Sequence, residues 1–218
     1  MRKIIDLIPL KKNLIVLLSA VVLIEMGEKM GERFLPLYIM VLGGSSLAIG
    51  FLNAVDNFLG AVYSFPGGYL SDKIGYKKSL LLFNLAAVAG YLIVILFPYW
   101  QAAVLGAVLF ISWSSVSLPA VMSAISKILP FNKRTMGVSM HSMTRRIPMA
   151  LGPLLGGFCV QHWGEKDGVR ITFGFALFLS ILAIALQHYF LEHIEEPEKE
   201  KMEKNPFKVL SLMGPKLK

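Results

Sequence analysis

Gly68-Tyr69-Leu70-Ser71-Asp72-Lys73-Ile74-Gly75-Tyr76-Lys77-Lys78 is a short basic stretch between two apolar segments, each long enough to cross a bilayer. Glycine tolerates the dihedrals of a tight reversal, so the stretch reads as a hairpin with glycines at the bend. Asp72 and the lysines Lys73, Lys77 and Lys78 then sit at headgroup level, where lysines bias a loop to the cytoplasm.

Working outward, 55% of the 218 residues are hydrophobic, more than a soluble domain of this size needs, which makes the chain a membrane protein. One cysteine, Cys159, excludes a disulfide framework. Runs of about 20 apolar residues predict an all-α bundle of six transmembrane helices over 13–41, 46–67, 79–97, 101–125, 136–160 and 171–191. The short connections force neighbours to run antiparallel. The organisation expected is a cytoplasmic lead (1–12), a transmembrane domain (13–191) and a mixed-charge cytoplasmic linker (192–218). The first apolar run reads on without a small-residue cleavage site, so it is not a signal peptide.

The net charge of +8 could point to nucleic acid, but the placement of the cations excludes it. Sixteen of them fall on the side of the lead, the 2–3 turn, the 4–5 turn and the tail, against two (Lys166 and Arg170) on the other. The positive-inside rule then places both termini in the cytoplasm of an integral multi-pass protein, expected in the plasma (inner) membrane.

The chemistry lies in charges inside the spans. Glu25, Glu28, Lys29, Glu32 and Arg33 of span 1 fall within an arc of about 140° at helical spacing. Glu25–Lys29 and Lys29–Glu32 are spaced to neutralise one another along the helix. Asp56 lies near the middle of span 2, and Arg145 and Arg146 near the middle of span 5. A charge at the bilayer centre costs about 2.5–3.5 kcal/mol, so these groups must face one another or a watery cavity. Span 4 adds a run of serines beside Trp113, a candidate cavity-lining face, with Pro119 allowing a bend. Gly152-Pro153-Leu154-Leu155-Gly156-Gly157 on span 5 is a smooth, kinkable segment against which another helix can rock.

The positions Gly68, Asp72, Lys73, Gly75, Lys77 and Lys78 resemble the loop between helices 2 and 3 of the major facilitator superfamily, G-x-x-x-D-[RK]-x-G-x-[RK]-[RK]. The Gly152–Gly157 segment is similar to the G-P-x-x-G-G of that family's antiporters, with Pro148 standing where a preceding glycine is expected. The resemblance implies the N-terminal six-helix half of such a transporter. Two bundles would rock about a midplane site, helices 1 and 4 lining the cavity, helices 2 and 5 meeting the other half, and Asp72 with its lysines forming a cytoplasmic latch. Two departures stand out. The arginine common on the family's helix 4 is absent, and Glu32-Arg33-Phe34 matches only part of the E-x-x-E-R-F signature of peptide transporters, so a peptide substrate is not expected.

The function expected is secondary active transport of a small solute by alternating access, coupled to protons as antiport or symport. Glu25, Glu28, Glu32 and Asp56 are the candidate proton carriers, and Lys29, Arg33, Trp113, Arg145 and Arg146 complete the substrate and proton path. The arginines suit a carboxylate or phosphate. No enzyme activity, cofactor, metal or nucleic acid is expected. The partners are the lipid bilayer, a small-molecule substrate, and a C-terminal half (in the same polypeptide or a second chain) or a second copy forming a homodimer. Two other classes compete: a non-transporting membrane scaffold, and an intramembrane serine hydrolase using Ser139 with His188 as base.

Overall fold

The structure, a computed structural model, describes residues 8–111 and 113–190, with side chains from residue 12 onward except 64–66. The first seven residues of the lead, Ser112 and the 192–218 linker lie outside the described residues. Six rods make up the rest. α1 (Ile8–Glu32) and α2 (Leu35–Val41) form span 1, α3 (Ser46–Ile74) span 2 and α4 (Tyr76–Leu96) span 3. α5 (Trp100–Phe110) and α6 (Trp113–Ile128) form span 4. A 3₁₀ turn (Phe131–Lys133), α7 (Arg134–Thr144) and the first arm of α8 (Arg146–Phe190) form span 5, and the second arm of α8 is span 6.

Glycine and proline set the reversals. Gly43, Gly75 and Gly164 have φ of 84°, 87° and 80°, a region open to glycine at little cost, and each marks a point where the chain turns back. Gly164 folds α8 into a hairpin so tight that a Cβ on Gly168 would meet the backbone of Cys159 and Val160. Two further prolines interrupt spans from within. Pro36 has no N–H for the carbonyl of Glu32, and the helix breaks between α1 and α2. Pro148 likewise leaves the carbonyl of Thr144 without its helical donor, and α7 gives way to α8 at Arg145. Pro119, by contrast, lies inside α6, which runs on through it.

By length and apolarity, four stretches among the described residues could cross a membrane: Ser46–Tyr63, Tyr76–Leu96, Trp100–Ile128 and Phe131–Phe190, the last doubling back at Gly164. Span 1 falls outside that set because it carries the charges. Large apolar side chains are exposed along the outside, among them Phe51, Phe58, Leu92, Leu154, Phe175 and Phe178, as a bundle in lipid requires.

The 68–78 stretch differs from its sequence expectation. α3 continues through Gly68 and Asp72 to Ile74, so Gly75 alone makes the turn before α4 begins at Tyr76. Gly67 and Gly68 instead let span 2 lie on span 4. A Cβ on Gly67 would sit 2.4 Å from the carbonyl oxygen of Val116, and one on Gly68 would touch Pro119.

Candidate functional site

α1 occupies the groove between spans 5 and 6, and small residues put it there. Gly27 and Gly31 face Ala176 and Phe173 of span 6 so closely that a Cβ on either would overlap them. On the span 5 side, a Cβ on Gly152 would meet Lys29 and one on Gly156 the carbonyl oxygen of Met30, while Gly157 lies against the Phe34 ring. Gly152 and Gly156 are buried, and Pro153 sits between them inside α8. The glycine segment of span 5 is thus the bearing surface for the charged part of span 1.

This approach brings opposite charges together. Glu25, only 1% exposed, pairs with Arg145 of span 5 at 2.5 Å. Glu28, also 1% exposed, accepts hydrogen bonds from Ser114 of span 4 at 3.0 and 3.1 Å. Lys29 is shared, 3.3 Å from Glu28 and 2.5 Å from Glu32. Asp56 is half-buried on α3. Three spans therefore contribute bonded groups to one charged cluster: 1, 4 and 5.

The expected Lys29–Glu32 pair is present, but Lys29's other partner is Glu28 rather than Glu25, whose cation comes from another helix. Arg33 and Arg146 are exposed and pair with no acid among the described residues. His141, buried one turn before Arg145, has neither ring nitrogen bonded.

Trp113 lies against a recess that Tyr63, Gly67, Leu82 and Val116 also line. It is 2% exposed, and its indole N–H donates to Asn84 Oδ1 of span 3 at 2.8 Å. Asn84 Nδ2 in turn donates to Gln187 Oε1 of span 6 at 2.7 Å. Sequence reasoning passed over Asn84 and Gln187, although a lone amide within an apolar span is itself a signal that it meets a partner inside the bundle. The hydrolase constellation does not form: Ser139 and His188 are both exposed, and no hydrogen bond joins them.

The 2–3 turn residues lie at one end of the bundle. Asp72 and Lys73 close α3 in exposed positions, with Lys73 5.7 Å from the Tyr69 ring centre. Lys77 and Lys78 open α4. Among the described residues no cluster of His, Cys, Asp and Glu is arranged to hold a metal ion.

Shared acceptors around one lysine, a buried acid on a serine, and an ion pair between two spans join spans 1, 4 and 5 through charged groups. The family model described as Major Facilitator Superfamily matches residues 17–216. The chain is 21% identical over 201 residues to the uncharacterized MFS-type transporter YhcA of Bacillus subtilis (strain 168), covering 92% of this chain and 37% of that protein. It is 26% identical over 209 residues to the uncharacterized MFS-type transporter MJ1560 of Methanocaldococcus jannaschii, covering 89% and 50%. To the uncharacterized MFS-type transporter YfkF of Bacillus subtilis (strain 168) it is 27% identical over 153 residues, covering 69% and 38%. It thus spans half or less of the length of each of these relatives. With the family model matching nearly the whole of an all-α, membrane-spanning chain, this protein belongs to the major facilitator superfamily.

Proposed function

We propose that this chain is the six-helix N-terminal half of a secondary transporter that moves a small solute by alternating access, with proton coupling through Glu28. The observation that carries the reading is Glu28 itself: a carboxyl group 1% exposed, bonded to Ser114 across the bundle and sharing Lys29 with Glu32. Ionised, Glu28 holds Lys29 and Ser114 by charge-assisted bonds. Protonated, it releases its hold on Lys29, which then belongs to Glu32 alone. Desolvation favours the neutral acid and a neighbouring cation the ionised one, so the balance moves with anything that shifts Lys29.

Glu25 with Arg145 would transmit the change to span 5, sliding on Gly152 and Gly156. Arg33, Arg146 and Asp56, the charges without a partner in the cluster, would meet the solute. The exposed apolar faces of spans 2 and 5 would meet a second six-helix half, in the same polypeptide or a second chain, or a second copy in a homodimer. Asp72 with Lys73, Lys77 and Lys78 would latch the two halves at the cytoplasmic side, the side the cations of the sequence favour.

The test uses the full-length protein in liposomes, with a solute found by screening for thermal stabilisation. For each coupled proton, a gradient of one pH unit supports about tenfold accumulation. The wild type is expected to accumulate solute to that extent. Glu28→Gln should exchange solute across the membrane but lose the accumulation. A Glu28→Gln protein that follows the gradient as the wild type does would overturn the coupling role.

A further inference from the structure

α7 is a short arm of span 5, 11 residues long, and it ends at the break that Pro148 imposes beside Arg145. Two of its residues are buried, Gly137 and His141, and Arg145 follows them at the same interval of four. Residues four apart share a face of a helix, so these three make up the side that α7 turns to the bundle. Gly137 packs on span 4, where a Cβ would meet Ile125 and Leu129. Arg145 reaches span 1 and pairs with Glu25. His141 stands between the two contacts, one turn from Arg145.

Polar atoms on this face are left over. His141 is 3% exposed, and neither Nδ1 nor Nε2 has a partner. A neutral imidazole carries one donor and one acceptor, an imidazolium two donors, so neither form is satisfied in this arrangement. Across the interface Glu25 keeps Oε2, an acceptor, buried without a donor. Buried groups of this kind are costly unless a partner is found for them. Side chains four apart on a helix are neighbours, about 5–6 Å between Cβ atoms, so a carboxylate held by Arg145 lies a small movement away from the imidazole. The break at Arg145 is where α7 can make that movement.

The other charges nearby are engaged elsewhere. On span 1, Glu28, Lys29 and Glu32 lie one to two turns beyond Glu25 and are bonded to one another and to Ser114. Span 4 meets α7 through apolar side chains, and its Lys127 lies over the Tyr76 ring. Arg134, at the start of α7, lies over the Phe131 ring, and Arg146, at the start of α8, is exposed. Glu25 and Arg145 are therefore the charges that meet His141. A recess of about 330 Å³ between spans 1 and 5 is lined by Ser19 and Thr144 among apolar neighbours, so water can come up to the break itself.

We propose that His141 is a second proton-binding residue of this half, and that on taking a proton it competes with Arg145 for Glu25. Neutral, it leaves Glu25 to Arg145, the arrangement seen. Protonated, its N–H donates to Glu25 Oε2, and repulsion between imidazolium and guanidinium loosens Arg145 as α7 turns at its break. The proton comes from water and is held on a ring nitrogen, while Glu25 stays ionised in both states. What this exchange does for solute movement rests on the transport function proposed above; the proton binding does not.

Solid-state NMR of the full-length protein in lipid bilayers tests this, with isotope-labelled histidine, arginine and glutamate. His141→Gln, neutral at every pH, identifies the His141 signals by their loss. At about pH 8 the expected contact is between the Arg145 guanidinium and the Glu25 carboxylate. At about pH 5, within the range where histidines titrate, His141 is expected as an imidazolium in contact with Glu25, and the Arg145–Glu25 contact as lost. In His141→Gln the Arg145–Glu25 contact should persist at both values, which a merely space-filling imidazole would not predict. No solute is needed, so the result stands apart from the accumulation test of Glu28→Gln. An imidazole that stays neutral at about pH 5, one that charges without touching Glu25, or an Arg145–Glu25 contact unchanged between the two values in wild type would overturn the proposal.

Discussion

Trp113, Asn84 and Gln187 tie spans 4, 3 and 6 together through neutral groups, whereas Glu25, Glu28, Lys29, Glu32 and Arg145 tie spans 1 and 5 to Ser114 of span 4 through charges. The neutral series has one solution. A donor-only indole at one end sets the direction of each amide in turn, and nothing in it offers a second arrangement. The charged series has several, because Lys29 has two acids to choose from and Glu25 keeps an oxygen, Oε2, that is buried without a partner. Spans 3, 4 and 6 thus read as the fixed frame of this half and spans 1 and 5 as its adjustable pair. Ser114 sits next to Trp113 in sequence, so the two systems meet on span 4 without sharing a bond.

The comparison breaks most severely at Arg145. Replacing it with alanine leaves Glu25 charged, buried and unpaired, a change expected to destabilise the protein by about 3–5 kcal/mol. Glu25→Gln in the same chain should recover most of that loss, because the stranded charge is gone. Reversible unfolding of the full-length protein in mixed micelles measures both. An Arg145→Ala protein as stable as wild type would mean that the ion pair carries no weight and that span 5 is not held through it.

Gly156→Ala asks whether the bearing between spans 1 and 5 is as close as the geometry says. The new methyl would lie 2.5 Å from the carbonyl oxygen of Met30, a backbone atom that cannot rotate away. Overpacking of this kind is expected to cost about 1–3 kcal/mol. Gly174→Ala on span 6, where no atom lies within 4 Å, is the control and should be neutral or slightly stabilising. Equal effects at the two positions would remove the argument that span 5 is specially fitted to span 1.

What the sequence disclosed follows from the range of the interactions. Apolar runs report on single segments, and they located the rods and the turns between them. The Lys29–Glu32 pair was legible because three residues along a helix is a local spacing. Glu25–Arg145 was not, since the two are 120 residues apart and only the approach of Gly152 and Gly156 to span 1 brings them together. Gly68 shows the opposite failure. A glycine beside a basic turn reads as part of the bend, yet it lies within α3, beside the Gly67 contact with span 4, and Gly75 alone carries the positive φ. Nor could spacing tell that Trp113 turns towards Asn84 rather than towards the charges, because both faces of α6 are lined by neighbours.

The smallest expected effect sharpens the comparison most. Trp113→Phe keeps the ring in the core but removes the N–H that Asn84 Oδ1 accepts, for a loss of about 1 kcal/mol. Freed from the indole, Asn84 and Gln187 can both invert their amides, so the frame should lose definition more than stability. If frame and adjustable pair are separate systems, this variant should shift the unfolding midpoint slightly and leave the pH dependence of transport as in wild type, while Glu28→Gln does the reverse. A Trp113→Phe protein whose transport responds to pH as Glu28→Gln does would join the two systems through Ser114. Span 4 would then belong with the moving parts rather than with the frame.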